Sequence, residues 1–297
     1  MGASRFHLGN KLLACALGLA GCAQDTAAAG AAAPGSETPA ATSGGEAAAD
    51  TVATKTVSYT SGGLTMVGFL AYPARAQDKR PGVLVVHEWW GLNDYARRRA
   101  KELAALGYVA LAVDMFGDGK TTTHPDDAKK FAMETYADPG ARLQRFEAAR
   151  AVLAADEHVD GQKLAAIGYC YGGGVVLNAA RSGSKLAAAV SFHGTLDTDK
   201  PMPPSTFSGR ILVATGAADP FVPPDTVSAF RKEMDAASAK YEVVEYPGAK
   251  HAFTNPEATE LGKQNSLPLE YNAEADKASW QKLRELLVAV WGPVSPA

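Results

Sequence analysis

The sequence predicts an α/β fold in which a mostly parallel sheet of about eight strands carries helices on both faces. Short apolar runs typical of buried strands alternate with helical patterns along most of the chain. Two β-rich runs around Ser61-Gly62-Gly63 precede them and predict a hairpin. The chain has 297 residues, 46% of them hydrophobic, which is enough to bury one large core.

Each element follows from these patterns. The hairpin is expected within 54–74, and further strands are expected at 82–88, 108–114, 163–169, 186–194, 210–216 and 241–247. Helical patterns fall at 93–106, 125–137, 140–155, 174–181 and 270–291. In sheets of this kind, ligands bind at the carboxyl ends of the strands, so polar residues at those ends are the candidates for chemistry.

The N-terminal residues predict export. Residues 1–22 place Arg5 and Lys11 before the short apolar run "LLACALGLAGC", which is the architecture of a signal peptide. The run ends in Leu-Ala-Gly-Cys, which resembles a bacterial lipobox and predicts lipidation at Cys22. Ordinary secretion after cleavage at a small residue is the alternative. Ala23, where an Asp would retain a lipoprotein elsewhere, predicts anchoring at the outer membrane, facing the periplasm.

Two further regions follow the signal. Residues 23–53 are mainly Ala, Gly, Thr, Ser and Pro and predict a disordered linker, whereas residues 54–297 form the predicted folded domain. The net charge of −3 leaves no basic footprint for nucleic acid. The densest basic run, Arg97 to Arg99, is expected on a solvated helix face. We expect a monomer that acts on a small molecule and contacts a membrane only through its N-terminal anchor.

Cysteine usage narrows the role of Cys170. Cys15 lies inside the predicted signal and Cys22 is the predicted lipid site, so Cys170 is the remaining cysteine of the domain. Neither an intramolecular disulfide nor a cysteine-rich zinc site is then available to it. Its context, Gly168-x-Cys170-x-Gly172, has the form of a nucleophile elbow with cysteine in the serine position. A small buried cysteine in a glycine-rich packing turn is the alternative.

Two loops supply partners for a nucleophile at Cys170. Asp219 follows the predicted strand 210–216, and His251 follows the next strand. The order nucleophile, acid, base is the one found in α/β-hydrolases. In this interpretation His251 deprotonates the thiol, and Asp219 orients the imidazole. Asp225 is the alternative acid, but it follows two prolines and is expected to be the N-cap of a helix.

Four motifs together resemble the dienelactone hydrolase family. They are "HEWWGLN" (87–93), "GYCYGGG" (168–174), "TGAADP" (215–220) and "YPGAKHAFTNP" (246–256). The similarity extends over residues 55–292. It implies an α/β-hydrolase fold that hydrolyses ester or lactone bonds.

The resemblance also assigns roles. It implies that Cys170, Asp219 and His251 form the catalytic triad. It implies further that Glu88 holds the resting thiol and then takes part in its activation. The oxyanion hole would consist of main-chain N–H groups, those of Trp89 and Tyr171.

The chain departs from the family at a substrate-binding position. Members that act on the chlorocatechol-pathway lactone carry an arginine four residues after the catalytic histidine, where this chain has Asn255. A second family arginine, upstream of the elbow, has three candidate matches, which are Lys129, Lys130 and Arg142. The resemblance therefore covers the hydrolytic machinery and leaves the substrate open.

Several further residues are candidates for the surroundings of the site. Together with Asn255, the aromatic residues near the predicted mouth are candidates for the wall of an apolar pocket, namely Trp89, Trp90, Phe116 and Phe253. Packing under loops is the alternative for each of them. His193 is expected to be a hydrogen-bonded structural histidine, and Asp114 is expected to tie down a loop.

No metal and no cofactor is expected. The segment "HEWWG" begins like a zinc-binding HExxH motif, but Gly91 stands in place of the second histidine. The sequence therefore predicts a carboxylic ester hydrolase, similar to a carboxymethylenebutenolidase, that acts through a thioester on Cys170. Two alternatives remain open: a thioesterase or peptidase of the same fold, and a non-catalytic binding lipoprotein.

Overall fold

The computed structural model describes residues 51–297. The predicted signal peptide, Cys22 and residues 23–50 of the predicted linker lie outside the described residues. The strands are β1 (Val52–Ser61), β2 (Leu64–Pro73), β3 (Arg80–Val86), β4 (Val109–Val113), β5 (Val159–Tyr169), β6 (Ala188–Phe192), β7 (Arg210–Gly216) and β8 (Lys240–Tyr246). The helices are α1 (Asp94–Ala105), α2 (Pro125–Ala137), α3 (Pro139–Ala155), α4 (Tyr171–Arg181), α5 (Pro224–Ala236), α6 (Ala258–Asn265) and α7 (Ala273–Trp291).

The strands in the described part of the chain form an eight-stranded sheet in the order β1-β2-β4-β3-β5-β6-β7-β8. The pairs β1–β2 and β2–β4 are antiparallel, and the other neighbouring pairs are parallel. Helices α3, α4 and α5 contribute to the core on one face, and α1 and α7 contribute to the core on the other. The predicted mostly parallel sheet with helices on both faces is therefore confirmed.

The central strands explain why their sequences lack polar alternation. All five residues of β4 and of β6 are buried, as are six of the seven residues of β3. A strand covered by helices on both faces has no solvent side, so it is a continuous apolar run. This burial supports the rigid sheet from which the site residues extend.

The register of β3 and β5 brings two site residues to the same edge. Val86 lies opposite Gly168 in this parallel pair. Glu88 and Cys170 each follow that pair by two positions. Because parallel strands end at the same edge, both side chains lie at the carboxyl end of the sheet.

The N-terminal hairpin forms as predicted. Its turn residues Gly62 and Gly63 have φ values of 57° and 82°, which the two-residue type I′ turn requires. The first strand begins at Val52, upstream of the predicted domain start at 54, because Val52 still pairs with Pro73 of β2.

Three local expectations differ from the structure. Helix α4 begins at Tyr171 rather than 174, so the glycines form its first turn. Helix α6 was not predicted, since eight residues are too few to show a clear helical period. Asp225 lies in the first turn of α5, where Pro223 is the N-cap, because the two prolines start the helix earlier than expected. None of the described helices is both long enough and apolar enough to cross a membrane.

Candidate active site

Cys170 lies at a sharp turn between β5 and α4. Its backbone has φ 53° and ψ −115°, a conformation that residues other than glycine rarely adopt. The neighbouring glycines permit this turn: a Cβ at Gly168 would lie 2.1 Å from the Gly172 carbonyl oxygen, and one at Gly172 would lie 2.3 Å from the Val86 carbonyl oxygen. The side chain is half-buried at the N-terminus of α4. The geometry is that of a strained strand-to-helix elbow.

His251 lies between its two predicted partners. Its Nδ1 donates to Asp219 Oδ2 at 2.8 Å, and its ring is close enough to Cys170 for the two side chains to interact electrostatically. Burial alone would lower the pKa of His251, but the charges of Cys170 and Asp219 outweigh it and hold that pKa well above its usual range. The structure therefore brings together the three residues predicted at the ends of β5, β7 and β8.

Asp219 is fixed by its own loop. One carboxylate oxygen accepts the N–H of Phe221 at 2.8 Å while the other faces His251. The ring of Phe221 meets the His251 ring edge-on, with centroids 4.9 Å apart. Phe221 was not among the predicted site residues, because an exposed-looking "DPF" loop gives no sequence signal for an aromatic contact.

Glu88 is buried and bonded to Asn255. The amide Nδ2 of Asn255 donates to Glu88 Oε2 at 2.7 Å, and Oδ1 of Asn255 accepts the N–H of Glu257. The second bond fixes the orientation of the amide, so its NH₂ group faces the carboxyl. Burial raises the pKa of Glu88 to about 7, although the Asn255 bond and the charge of His251 oppose this shift.

The two predicted oxyanion donors follow β3 and β5, which end at the same edge of the sheet. Trp89 follows Glu88 directly, and Tyr171 is the first residue of α4, where a helix N–H has no partner within the helix. Within residues 51–297 neither N–H has a protein acceptor. The Tyr171 side chain is anchored separately, since its hydroxyl bonds to Thr135 at 2.8 Å.

The aromatic candidates fall into different environments. Trp89 is half-buried and packs against Trp90, with ring centroids 4.8 Å apart. Phe116 is buried against the rings of His87 and Tyr171. Phe253 is fully buried in the core, where it contacts Tyr246 and His193.

The three candidate matches for the second family arginine lie in different environments. Lys129 and Lys130 are exposed on α2, whereas Arg142 is buried on α3. The Arg142 guanidinium lies 4.5 Å above the Tyr136 ring, and its Nη1 has no hydrogen-bond partner within the described residues. Tyr136 in turn packs edge-on against Tyr171, the residue that follows Cys170, so the Tyr136 ring lies between Arg142 and the elbow.

Two structural expectations are met. Asp114 accepts the N–H groups of Phe116, Gly117 and Gly119 and that of Val67, so it ties down the loop after β4. His193 is fully buried and hydrogen-bonded through both ring nitrogens. His87 is likewise held through both nitrogens, by the Glu88 carbonyl and the Met115 N–H.

The prediction of a solvated helix face for residues 97–99 is wrong at Arg99. Arg99 is buried rather than solvated, and its guanidinium forms an ion pair with Asp276 of α7. It also donates to the carbonyl of Thr254, which lies in the loop after His251. Nothing local in "ARRRAK" distinguishes Arg99 from Arg98, because the partner carboxylate is far away in the sequence.

The described residues contain no group of three or more His, Cys, Asp and Glu side chains that could hold a metal ion. The polar atoms of the site are instead a thiol, an imidazole, two carboxyl groups and main-chain N–H groups. Such a set can add a nucleophile to a carbonyl, stabilise the oxyanion and transfer protons.

The chain is similar to known hydrolases over most of its length. A family model described as "Dienelactone hydrolase family" matches residues 66–290. A protein from Bradyrhizobium, named "Probable 2-oxo-3-(5-oxofuran-2-ylidene)propanoate lactonase", is 31% identical over 216 residues, which cover 69% of this chain and 86% of the relative.

Similar solved structures also carry dienelactone hydrolase names. A structure titled "m3DLH" is 35% identical, with a TM-score of 0.77, and the match covers 81% of this chain and 99% of the other. A dienelactone hydrolase-like promiscuous phosphotriesterase from metagenomic libraries is 33% identical with a TM-score of 0.75, and the covered shares are the same. The fold, the family model and these relatives agree: the chain is an α/β-hydrolase of the ester and lactone class, and it belongs to the dienelactone hydrolase family.

Proposed function

We propose that the protein hydrolyses carboxylic esters or lactones at Cys170 through a thioester intermediate. The observation that carries the proposal is the placement of His251, whose Nδ1 donates to Asp219 and whose ring interacts electrostatically with the Cys170 side chain. A base held between an acid and a thiol can deprotonate the thiol and keep the resulting charge pair in place.

Acylation begins when the Cys170 thiolate adds to the substrate carbonyl carbon. The carbonyl electron pair moves to oxygen, and the N–H groups of Trp89 and Tyr171 stabilise the oxyanion. When the intermediate collapses, the C–O bond of the ester breaks. The leaving alkoxide takes a proton from the His251 imidazolium, and the acyl group remains on sulfur as a thioester.

Deacylation uses the same groups in reverse. Neutral His251 accepts a proton from water as the water oxygen adds to the thioester carbonyl. Collapse of this second oxyanion releases the carboxylic acid and returns the sulfur to the His251 imidazolium as a thiolate. Asp219 stabilises the imidazolium in both stages, because its Oδ2 accepts a hydrogen bond from Nδ1–H.

Asn255 and Arg142 bear on the substrate. Asn255 is engaged with Glu88 and has no cationic group to offer a substrate carboxylate. Arg142 is a buried cation whose Nη1 has no hydrogen-bond partner among residues 51–297, and the Tyr136 ring lies between it and Tyr171. If the substrate carries a carboxylate, this arginine is the group that would bind it, and Arg142→Met should raise KM for carboxylate-bearing substrates only.

A panel of substrates tests the proposed function. The panel contains matched esters and lactones with and without a carboxylate, thioesters, peptides and a phosphotriester, since a structural relative is named a promiscuous phosphotriesterase. Wild-type protein is compared with Cys170→Ala, and intact mass is recorded after rapid quenching. Ester or lactone turnover with an acyl adduct on wild-type protein alone supports the proposal, and turnover retained by Cys170→Ala refutes it.

The same panel addresses the alternatives. Preference for thioesters or peptides over esters would favour the thioesterase or peptidase. A protein with no turnover, whose Cys170 reacts with iodoacetamide no faster than free cysteine, would favour the non-catalytic binding lipoprotein. The lipid anchor at Cys22 and the outer-membrane location are part of the proposal, and Cys22→Ala tests the anchor.

A further inference from the structure

The backbone N–H of Cys170 has an acceptor that the proposed reaction does not use. This N–H donates to the Phe192 carbonyl at 3.0 Å and to Nδ1 of His193 at 3.1 Å. A backbone N–H can only donate, so Nδ1 of His193 carries a lone pair. The imidazole proton of the neutral ring is therefore on Nε2.

The other nitrogen of His193 reaches the loop of the proposed base. Nε2–H donates to Oγ1 of Thr254 at 2.7 Å. Thr254 is fully buried and follows His251 by three positions. Its hydroxyl also bonds to Tyr95 at 2.6 Å, and its carbonyl accepts from Arg99 at 2.8 Å. Thr254 is thus held through both its side chain and its main chain.

The charge state of His193 agrees with this arrangement. Burial lowers the pKa of His193 well below its usual range, and the charges of His251 and Arg99 act in the same direction. The ring centroids of His193 and His251 are 5.3 Å apart. A neutral His193 keeps its lone pair for Cys170 and places no second cation beside the His251 imidazolium.

We propose that His193 and Thr254 form a bridge that holds the nucleophile elbow in register with the loop of His251. The elbow follows β5 and the loop follows β8, and β6 and β7 lie between them in the sheet, so no strand pairing joins the two segments. The His193–Thr254 bridge joins them through two hydrogen bonds. The inference rests on the proposed function, because it makes His193 and Thr254 positioning residues for that reaction.

Removal of the Thr254 hydroxyl tests the bridge. Thr254→Val keeps the side-chain shape and leaves the His193 Nε2–H without an acceptor, whereas Thr254→Ser keeps the hydroxyl. Thr215→Val is the matched control, because Thr215 is also buried and its hydroxyl has no hydrogen-bond partner within the described residues. His193→Phe and the His193→Phe/Thr254→Val double variant show whether both residues act through one connection.

Two assays are carried out on the full chain. The first gives kcat and KM with the best ester of the panel. The second gives the rate of Cys170 alkylation by iodoacetamide, followed by mass spectrometry of the peptide that contains Cys170. The alkylation rate requires no turnover, so it tests the bridge even if the proposed hydrolysis fails.

The expected pattern is specific. Thr254→Val lowers kcat about tenfold to a hundredfold and leaves KM within about threefold, because displacement of a reacting group by about 1 Å has an effect of that order. The rate of Cys170 alkylation falls in parallel with kcat. For Thr254→Ser and Thr215→Val, kcat and the alkylation rate stay within about threefold of wild type. The double variant loses no more of either than His193→Phe alone. Wild-type kcat and alkylation in Thr254→Val would overturn the bridge, as would an equal loss in Thr254→Ser or additive losses in the double variant.

Discussion

The buried carboxyl of Glu88 makes the stability of the fold depend on pH in a predictable direction. Burial raises its pKa from the usual 4.5 to about 7 in the folded protein. A group whose folded pKa is raised binds protons more tightly in the folded state than in the unfolded state. Stability is therefore lost as pH rises from about 4.5 and levels off above about 7.

The magnitude follows from the size of the shift. About 2.5 pKa units at 1.36 kcal/mol per unit correspond to about 3 kcal/mol by pH 8. Glu88→Gln removes the titration and keeps a carbonyl that can accept from Asn255 Nδ2. The difference in unfolding free energy, variant minus wild type, should increase by about 3 kcal/mol between pH 4.5 and pH 8.

Urea denaturation followed by tryptophan fluorescence measures this difference at several pH values. Thr215→Val is the control, since it removes no titrating group and its difference from wild type should not vary with pH. Any constant cost of fitting the glutamine amide shifts the whole Glu88→Gln curve without changing its slope. A curve for Glu88→Gln that is flat, or that falls with increasing pH, would refute the electrostatic account of Glu88.

Four further substitutions test other parts of the protein. Asp219→Asn should lower kcat about a hundredfold to ten-thousandfold, because it removes the carboxylate that accepts from His251 Nδ1. Asp225→Asn alters only the first turn of α5, so it should leave kcat within about twofold and cost less than about 1 kcal/mol of stability. A kinetic assay in which Asp225→Asn loses more activity than Asp219→Asn would reassign the acid. Gly168→Ala should destabilise the fold by about 3 kcal/mol or more, because its Cβ would lie 2.1 Å from the Gly172 carbonyl oxygen, and an unchanged urea midpoint would contradict the tight elbow. Cys22→Ala should move the protein from the membrane fraction to the soluble fraction of the cell envelope, and unchanged membrane association would remove the lipid anchor from the proposal.

Much of the fold is legible in the sequence because local patterns carry it. Buried parallel strands are apolar throughout, and the runs at 82–88 and 210–216 lie within two residues of β3 and β7. The glycines around Cys170 indicate the elbow, since no other residue fits where the backbone of α4 approaches β3. Asp219 and His251 could be selected because each lies in the loop that follows a strand.

The contacts that tune the site are not visible in this way. Asn255 and Glu88 are 167 positions apart, and His193 and Thr254 are 61 apart. Their bonds depend on which strand ends become neighbours in the folded sheet, and no periodicity records that choice. Arg99 illustrates the same limit, because its burial is set by Asp276 on the last helix.

The type of reaction can therefore be predicted from residue types and their order along the chain, because neither depends on how the chain packs. A cysteine between glycines, followed by an acid and a histidine at later strand ends, is enough to predict a hydrolase with an elbow nucleophile. Charge state and orientation rest on tertiary packing, because a pKa or a tautomer depends on the groups within a few ångströms. The neutral His193, the raised pKa of Glu88 and the Asn255 amide turned toward that carboxyl all follow from neighbours brought together only by folding.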